Sequence, residues 1–161
     1  MKEIHWSSAF LFLLALSIQR LECQQLTIQG ETGKQVALGR AEIEALPRAT
    51  VTTGGPQAPV KFEGVGLKLL LEEGGVGFGE SLKEKRLASC LVVEAADGYR
   101  VVIALPELDP AFNEKEVVLA FLRDGKALDD KEGPYRLVIP SEKRMARWVK
   151  QVTTLKIVDV Q

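Results

Sequence analysis

"GPYRLVIPSEKRMARWVK" runs from Gly133 to Lys150. Tyr135 to Ile139 is rich in β-branched and aromatic residues and is closed by Pro140, which predicts a strand. Strand alternation puts Arg136, Val138 and Pro140 on one face and turns Leu137 and Ile139 into a core. Around this strand lie Arg136, Lys143, Arg144, Arg147 and Lys150, opposed within the stretch by a single acid, Glu142. A helical turn after the strand would bring Arg147 and Lys150, three residues apart, to one side. Two readings follow from the residues alone. The basic group is a solvated face, as runs of positive charge often are. Alternatively it is an anion cradle, for which the forked donors of Arg and the compact charge of Lys are suited.

The rest of the composition makes this local charge conspicuous. The chain has 161 residues, a length that suggests one domain, and 46% of them are hydrophobic, enough for a core. Lys and Arg number 21 against 22 Asp and Glu, for a formal net charge of -1. That balance argues against a general nucleic-acid binder, and aromatic residues are too few for a base-stacking platform.

Toward the N-terminus, Ala9 to Leu16 reads AFLFLLAL after Lys2. The run is too short to span a bilayer but fits the core of a secretory signal. Residues 1–23 are therefore expected to be a signal peptide and 24–161 the mature domain, which would be periplasmic or secreted and carry no transmembrane segment. Lipid attachment at Cys23 and retention of the apolar run as an anchor are the other readings. The only histidine, His5, would leave with the signal, so the mature domain has no Ser-His-Asp triad and no histidine zinc ligand. Once Cys23 is removed, Cys90 is the only thiol, so no intramolecular disulfide forms. Catalysis is then left to carboxylates, Lys, Arg, Tyr99, Tyr135, that thiol or a borrowed cofactor.

Between these ends the pattern is of short strands and tight turns. Gln25 to Gln29, Gln35 to Leu38, Ala49 to Thr53, Val60 to Glu63, Leu87 to Ala96, Tyr99 to Leu105, Val117 to Arg123 and Leu155 to Val160 read as strands. Asp97-Gly98 and Asp124-Gly125 mark hairpin turns. Arg40 to Leu46 and Leu67 to Glu73 read as short helices. Gly74, Gly75, Gly77 and Gly79 follow a helix instead of a strand, in no phosphate-loop register, and predict a loop. The fold class is α+β with mostly antiparallel sheets.

Pro134-Tyr135-Arg136-Leu137-Val138-Ile139-Pro140, followed by Ala146-Arg147-Trp148-Val149-Lys150, resembles the molybdopterin-binding domain of the sulfite oxidase family. There a P-x-R-[VL]-[VI]-[VI]-P strand precedes an A-R-x-[VI]-K segment. Val92-Val93-Glu94-Ala95 resembles the C-V-E-A stretch in which bacterial relatives carry the metal-binding cysteine. Ala45-Leu46-Pro47 and Phe62-Glu63-Gly64-Val65 fit the same pattern, so the likeness spans most of residues 25–160. It implies a sulfite-oxidase-type fold and molybdopterin as cofactor. Arg136 and Lys150 would hold it, joined by Arg147 and by Lys131, where relatives often carry His or Asn.

The pattern departs from the family at the metal. Val92 stands where the thiolate belongs, and Cys90 lies two residues earlier, on the same strand face and about 7 Å away. Cys90 reads as a small apolar core residue, with metal ligation the remaining alternative. Two functions follow. One is a molybdopterin-dependent oxidoreductase transferring an oxygen atom on a sulfite- or sulfoxide-like substrate, served by an external electron-transfer protein. The other is a cofactor-free module that kept the fold and binds a small anion or a protein. The export reading has its own test. Protein exported by a Gram-negative host should begin at Gln24 or Gln25 by intact mass, and Met1 still attached would overturn it.

Overall fold

The computed structural model describes residues 25–160. The expected signal segment, His5 and Cys23 lie outside the described residues. Among the described residues, ten strands form two five-stranded sheets. The first contains β1 (Leu26–Gln29), β2 (Gln35–Leu38), β5 (Cys90–Ala95), β6 (Arg100–Ala104) and β10 (Val152–Val158), in the order β2-β1-β10-β5-β6. The second contains β3 (Arg48–Thr53), β4 (Val60–Gly66), β7 (Val118–Arg123), β8 (Lys126–Ala127) and β9 (Arg136–Val138). Its order is β3-β4-β7, with β8 and β9 both pairing with β7. The β1–β10 pairing is parallel, and the other pairings are antiparallel. Two short helices, α1 (Arg40–Ala45) and α2 (Leu67–Glu73), complete the expected α+β class.

The alternation expected of a half-buried strand holds in β5. Leu91, Val93 and Ala95 enter the core, while Cys90, Val92 and Glu94 stand half-buried on the outer face. β7 reads differently, with Val118, Leu119, Ala120 and Phe121 all buried in succession. β9 is likewise buried along its whole length. The expected division of β9 into a core face and an open face is therefore corrected: Arg136 is only 6% exposed and Val138 is fully buried. Its outward face is covered, with Phe62 and Trp148 against Arg136, and its backbone is paired on both edges. Val118, Leu119 and Ala120 of β7 pair with it on one side. On the other, Leu137 donates to the Val149 carbonyl at 2.8 Å and Val152 donates to the Tyr135 carbonyl at 2.9 Å. The 149–152 segment then enters β10, so β9 is the seam between the two sheets.

Other boundaries moved for local reasons. The strand expected from Leu87 begins only at Cys90, because Glu84–Ala88 forms a 3-10 turn. The last strand starts at Val152 and not at Leu155, and a bulge between Val152 and Thr154 obscures its alternation. The Asp124-Gly125 turn has positive φ at both residues, 49° and 76°, as a two-residue hairpin requires. At Asp97-Gly98 only Gly98 is left-handed, with φ 84°. That hairpin closes through Ala96, Asp97 and Gly98, with the Ala95 N–H donating to the Tyr99 carbonyl at 2.9 Å.

Gly64 is fixed by a different constraint. A Cβ there would stand 2.0 Å from the Leu119 carbonyl oxygen and 2.6 Å from the Ala120 Cα. The β4–β7 register shifts at this point, and only a bare Cα allows the strands to approach. Gly64→Ala is expected to lower stability by about 2 kcal/mol or more, since backbone must move to admit the methyl. Gly98→Val, strained by its positive φ but open in space, should cost about 1 kcal/mol or more. Chemical denaturation of both variants checks the order, and a Gly64→Ala protein as stable as the parent would disprove the close approach.

Candidate functional site

Arg136 is held from three directions. The two aromatic rings of Phe62 and Trp148 lie with their centroids 5.4 Å and 5.7 Å from its guanidinium carbon. The rings meet edge to face, 5.9 Å apart and at 83°. Trp148 is fixed by its indole N–H, which donates to the Ile139 carbonyl at 3.1 Å. On the third side Arg136 Nη1 donates to Glu132 Oε1 at 2.6 Å. Arg136 Nε is buried with no hydrogen-bond partner among the described residues, a donor whose desolvation is not repaid inside the protein.

Glu132 collects the neighbouring cations. Lys150 Nζ is 3.5 Å from Oε1, and Arg123 Nη1 is 3.6 Å from Oε2. The carboxylate side chain is 13% exposed, whereas that of Lys150 is half exposed. Burial acts to raise the Glu132 carboxyl, but the Arg136 hydrogen bond and the charges of Arg136, Lys150 and Arg123 outweigh it and hold it below its ordinary 4.5. Three cations on one carboxylate leave the cluster positive.

Beside this cluster opens a cavity of about 220 Å³, lined by Asp97, Tyr99, Lys131, Trp148, Lys150 and Gln151 among others. Lys131 and Lys150 therefore share one concave surface. Neither Arg136 nor Glu132 is among its lining residues; each adjoins one that is, Arg136 against Trp148 and Glu132 against Lys150. Arg147 goes elsewhere. Its Nε donates to Glu142, its Nη1 to the Val102 carbonyl at 3.1 Å, and its Nη2 to Glu107 at 3.2 Å. The Met145–Arg147 turn is 3-10, and Arg147 and Lys150 end on different acids. Of the four basic residues singled out, three gather around one site and Arg147 straps the turn to edge strand β6.

Glu132, Arg123, Phe62 and Trp148 belong to the site without having been singled out. The i,i+4 spacing of Glu132 and Arg136 was a usable signal. Arg123 and Phe62 are brought in by the β4–β7–β9 pairing, which no local pattern announces. Tyr135 is buried with its hydroxyl unpartnered among the described residues, and burial pushes that phenol up to about 12, so it does not exchange protons near neutral pH.

The metal side of the site is different. Val92 lies on the outer face of β5, across from Val102 of β6 and Lys156 of β10. Cys90 is a free, half-buried thiol on that face, across from Ala104 and Val158. Among the described residues no group of three or more His, Cys, Asp or Glu side chains converges as a metal site. The basic cavity and the unpartnered Arg136 donor suit the anionic end of molybdopterin, but the residue at the thiolate position does not suit its metal.

The sequence profile described as the oxidoreductase molybdopterin binding domain matches residues 15–161. Among solved structures, the sulfane dehydrogenase SoxCD from Paracoccus pantotrophus is similar, with a TM-score of 0.64 and 26% sequence identity. The match covers 84% of this chain and 38% of that one, so this chain spans well under half of that relative's length. No curated protein matches the sequence. The two sheets and short helices are those of the sulfite-oxidase-type fold, and with the profile covering nearly all of it the chain belongs to the molybdopterin-binding oxidoreductase domain family, with molybdopterin as the family's cofactor.

Proposed function

We propose that this domain holds molybdopterin by its phosphate end in the cavity of Lys131 and Lys150, and serves oxygen-atom transfer on a sulfur-containing substrate. The observation that carries the reading is the convergence of Lys131 and Lys150 on one concave surface whose wall, Trp148, packs on Arg136, whose buried Nε has no partner among the described residues. Lys150 and Lys131 supply mobile point charges for phosphate oxygens. Arg136, fixed by Phe62 and Trp148, supplies a pre-set fork. Tyr99, whose hydroxyl donates to the Ala146 carbonyl at 2.8 Å, walls the cavity and steadies the segment that carries Trp148 and Lys150. When bound, the cofactor supplies two-electron oxygen-atom chemistry, and an external electron-transfer protein is the complementary partner. Similarity to a sulfane dehydrogenase supports a sulfur compound as substrate class. Export to the periplasm, read from the apolar run at Ala9 to Leu16, is part of the proposal. Among the described residues no helix is long and apolar enough to cross a membrane.

A second reading has one specific observation in its favour. Val92 cannot ligate a metal, and Cys90 is two residues away. A domain with the anion site but no thiolate would be a cofactor or small-anion binding module without redox turnover. Metal analysis of protein made in a host that synthesises molybdenum cofactor separates the two: molybdenum at one equivalent supports the oxidoreductase, and its absence supports the module.

Arg136 is too deeply built in to serve as the binding test, because its removal would leave Glu132 buried with its closest partner gone. Lys150, half exposed, is the suitable residue. Lys150→Ala is expected to weaken phosphate binding at least tenfold in low-salt calorimetry, the loss of one charge-assisted contact of about 1.5–3 kcal/mol. Its melting temperature should stay near that of the parent. Equal affinity in the two proteins would remove the cavity from consideration.

The Glu132 cluster also predicts a pH dependence of stability. The folded carboxyl titrates below 4.5, so its stabilisation is complete above that pH and is lost as pH falls through the lower folded value. Glu132→Gln should be less stable than the parent at neutral pH. The gap in melting temperature should narrow as pH falls below the ordinary 4.5. A gap that is constant with pH would show that the ion cluster does not carry the difference.

A further inference from the structure

Building on the reading above, we propose that Glu132 is a resident counter-anion, which an incoming phosphate group displaces from Lys150 and Arg136. One carboxylate oxygen, Oε1, lies 2.6 Å from Arg136 Nη1 and 3.5 Å from Lys150 Nζ. It occupies the space in which an external oxyanion would meet both side chains. The cavity reaches Lys150 and Lys131 directly, but neither Glu132 nor Arg136 lines it, and Arg136 is 6% exposed. A phosphate entering the cavity therefore meets the lysines first, competes with Glu132 for Lys150, and gains Arg136 only when Glu132 also releases it.

The backbone restricts how that happens. The Glu132 N–H is held by the side chain and the carbonyl of Asp129, at 3.0 Å and 3.1 Å. Its carbonyl accepts from the Gln151 N–H at 3.0 Å. Gln151 is anchored in turn through its side-chain amide, which donates to the Asp130 carbonyl at 2.6 Å. With both peptide groups fixed, the carboxylate moves by side-chain rotation, and the 129–133 turn stays in place. Arg123, 3.6 Å from Oε2 at the end of β7, offers the carboxylate a partner that it keeps while releasing the other two. The exchange is favourable for phosphate because a dianion with three acceptor oxygens replaces a monoanion with two. A ligand of single charge and poor acceptor strength gains less, so Glu132 selects for phosphate-like anions over weaker ones. The acid that lines the cavity, Asp97, already accepts from the Tyr99 N–H at 2.9 Å.

The test is calorimetry with inorganic phosphate at low salt and neutral pH, on the full mature chain. Glu132→Gln keeps the size of the side chain and an acceptor for Arg136 but removes the competing charge. It should bind phosphate at least tenfold more tightly than the parent, and adding Lys150→Ala should abolish the gain. If parent and Glu132→Gln bind with equal affinity, and both lose it with Lys150→Ala, the cavity reading stands and the counter-anion proposal fails. Weaker binding by Glu132→Gln also overturns the proposal. If neither protein binds phosphate, both readings fall. Should Glu132→Gln not fold, Glu132→Asp keeps the charge and withdraws it from Lys150 by one methylene. That variant should also bind more tightly than the parent, and affinity equal to or below the parent's would overturn the proposal.

Discussion

A guanidinium with almost no access to water has to be neutralised inside the protein, and Arg136 is such a group. Its neutralisation fixes the arrangement around it. Glu132 must stand within hydrogen-bond reach, so the 129–133 turn must lie against β9. Phe62 and Trp148 must stand side by side against it, so β4 and the 148–150 segment must meet there. The same segment pairs with β9 and runs into β10 of the other sheet. One buried cation thereby links the second sheet, through β4, β7 and β9, to the first, through β10. Loss of its partner would expose a charge at the seam of the fold, where the energetic cost of an unpaired ion is greatest.

This coupling explains where a binding site can form. At the seam three cations gather on Glu132, and one of them, Lys150, also lines a cavity. Arg147 contributes at a distance. By donating to the Val102 carbonyl it covers an open hydrogen-bonding group of edge strand β6, and by pairing with Glu107 and Glu142 it ties the 3-10 turn to that strand. The turn in turn sets Trp148. Arg147 is thus a positioning residue for the aromatic wall, although its sequence spacing from Lys150 had suggested a shared ligand.

The elements were legible in the sequence where local chemistry dictates them. The 3.6-residue apolar spacing of α2, the alternation of β1 and β5, and the glycine of each hairpin turn each announce themselves within a few residues. The motif around Arg136 was legible as charge, but its meaning was not. The stretch from Gly133 to Lys150 shows five basic residues against Glu142, yet Glu132 lies one residue outside it and Glu107 a further 40 residues from Arg147. Both acids act by tertiary approach. Local charge counting therefore suggested an empty cradle, whereas the fold had already filled much of it with its own carboxylates. The two-sided burial of β9 was hidden for the same reason, since a strand covered on both faces and one covered on a single face differ in their neighbours more than in their own residues.

The thiolate question rests on strand register. Val92 and Cys90 share a face of β5, so a slip of two residues would bring the thiol to the ligand position without turning the core residues outward. Such a slip is opposed on both edges. β10 pairs with β5 through Leu155↔Val93 and Ile157↔Leu91, and β6 pairs through Val101↔Val93 and Ile103↔Leu91. All six side chains are buried. Moving β5 by two in that direction would force Val93 where Ala95 packs, put the hydroxyl of Ser89 where Leu91 packs and pull the Ala96–Gly98 turn away from the carbonyl of Gln151, to which the Ala96 N–H donates at 3.0 Å. The outer face of β5 therefore keeps Val92 opposite Val102, and the protein brings an apolar surface to that position. The positive charge lies elsewhere, where Lys131 and Lys150 line the cavity and Lys150 shares Glu132 with Arg136.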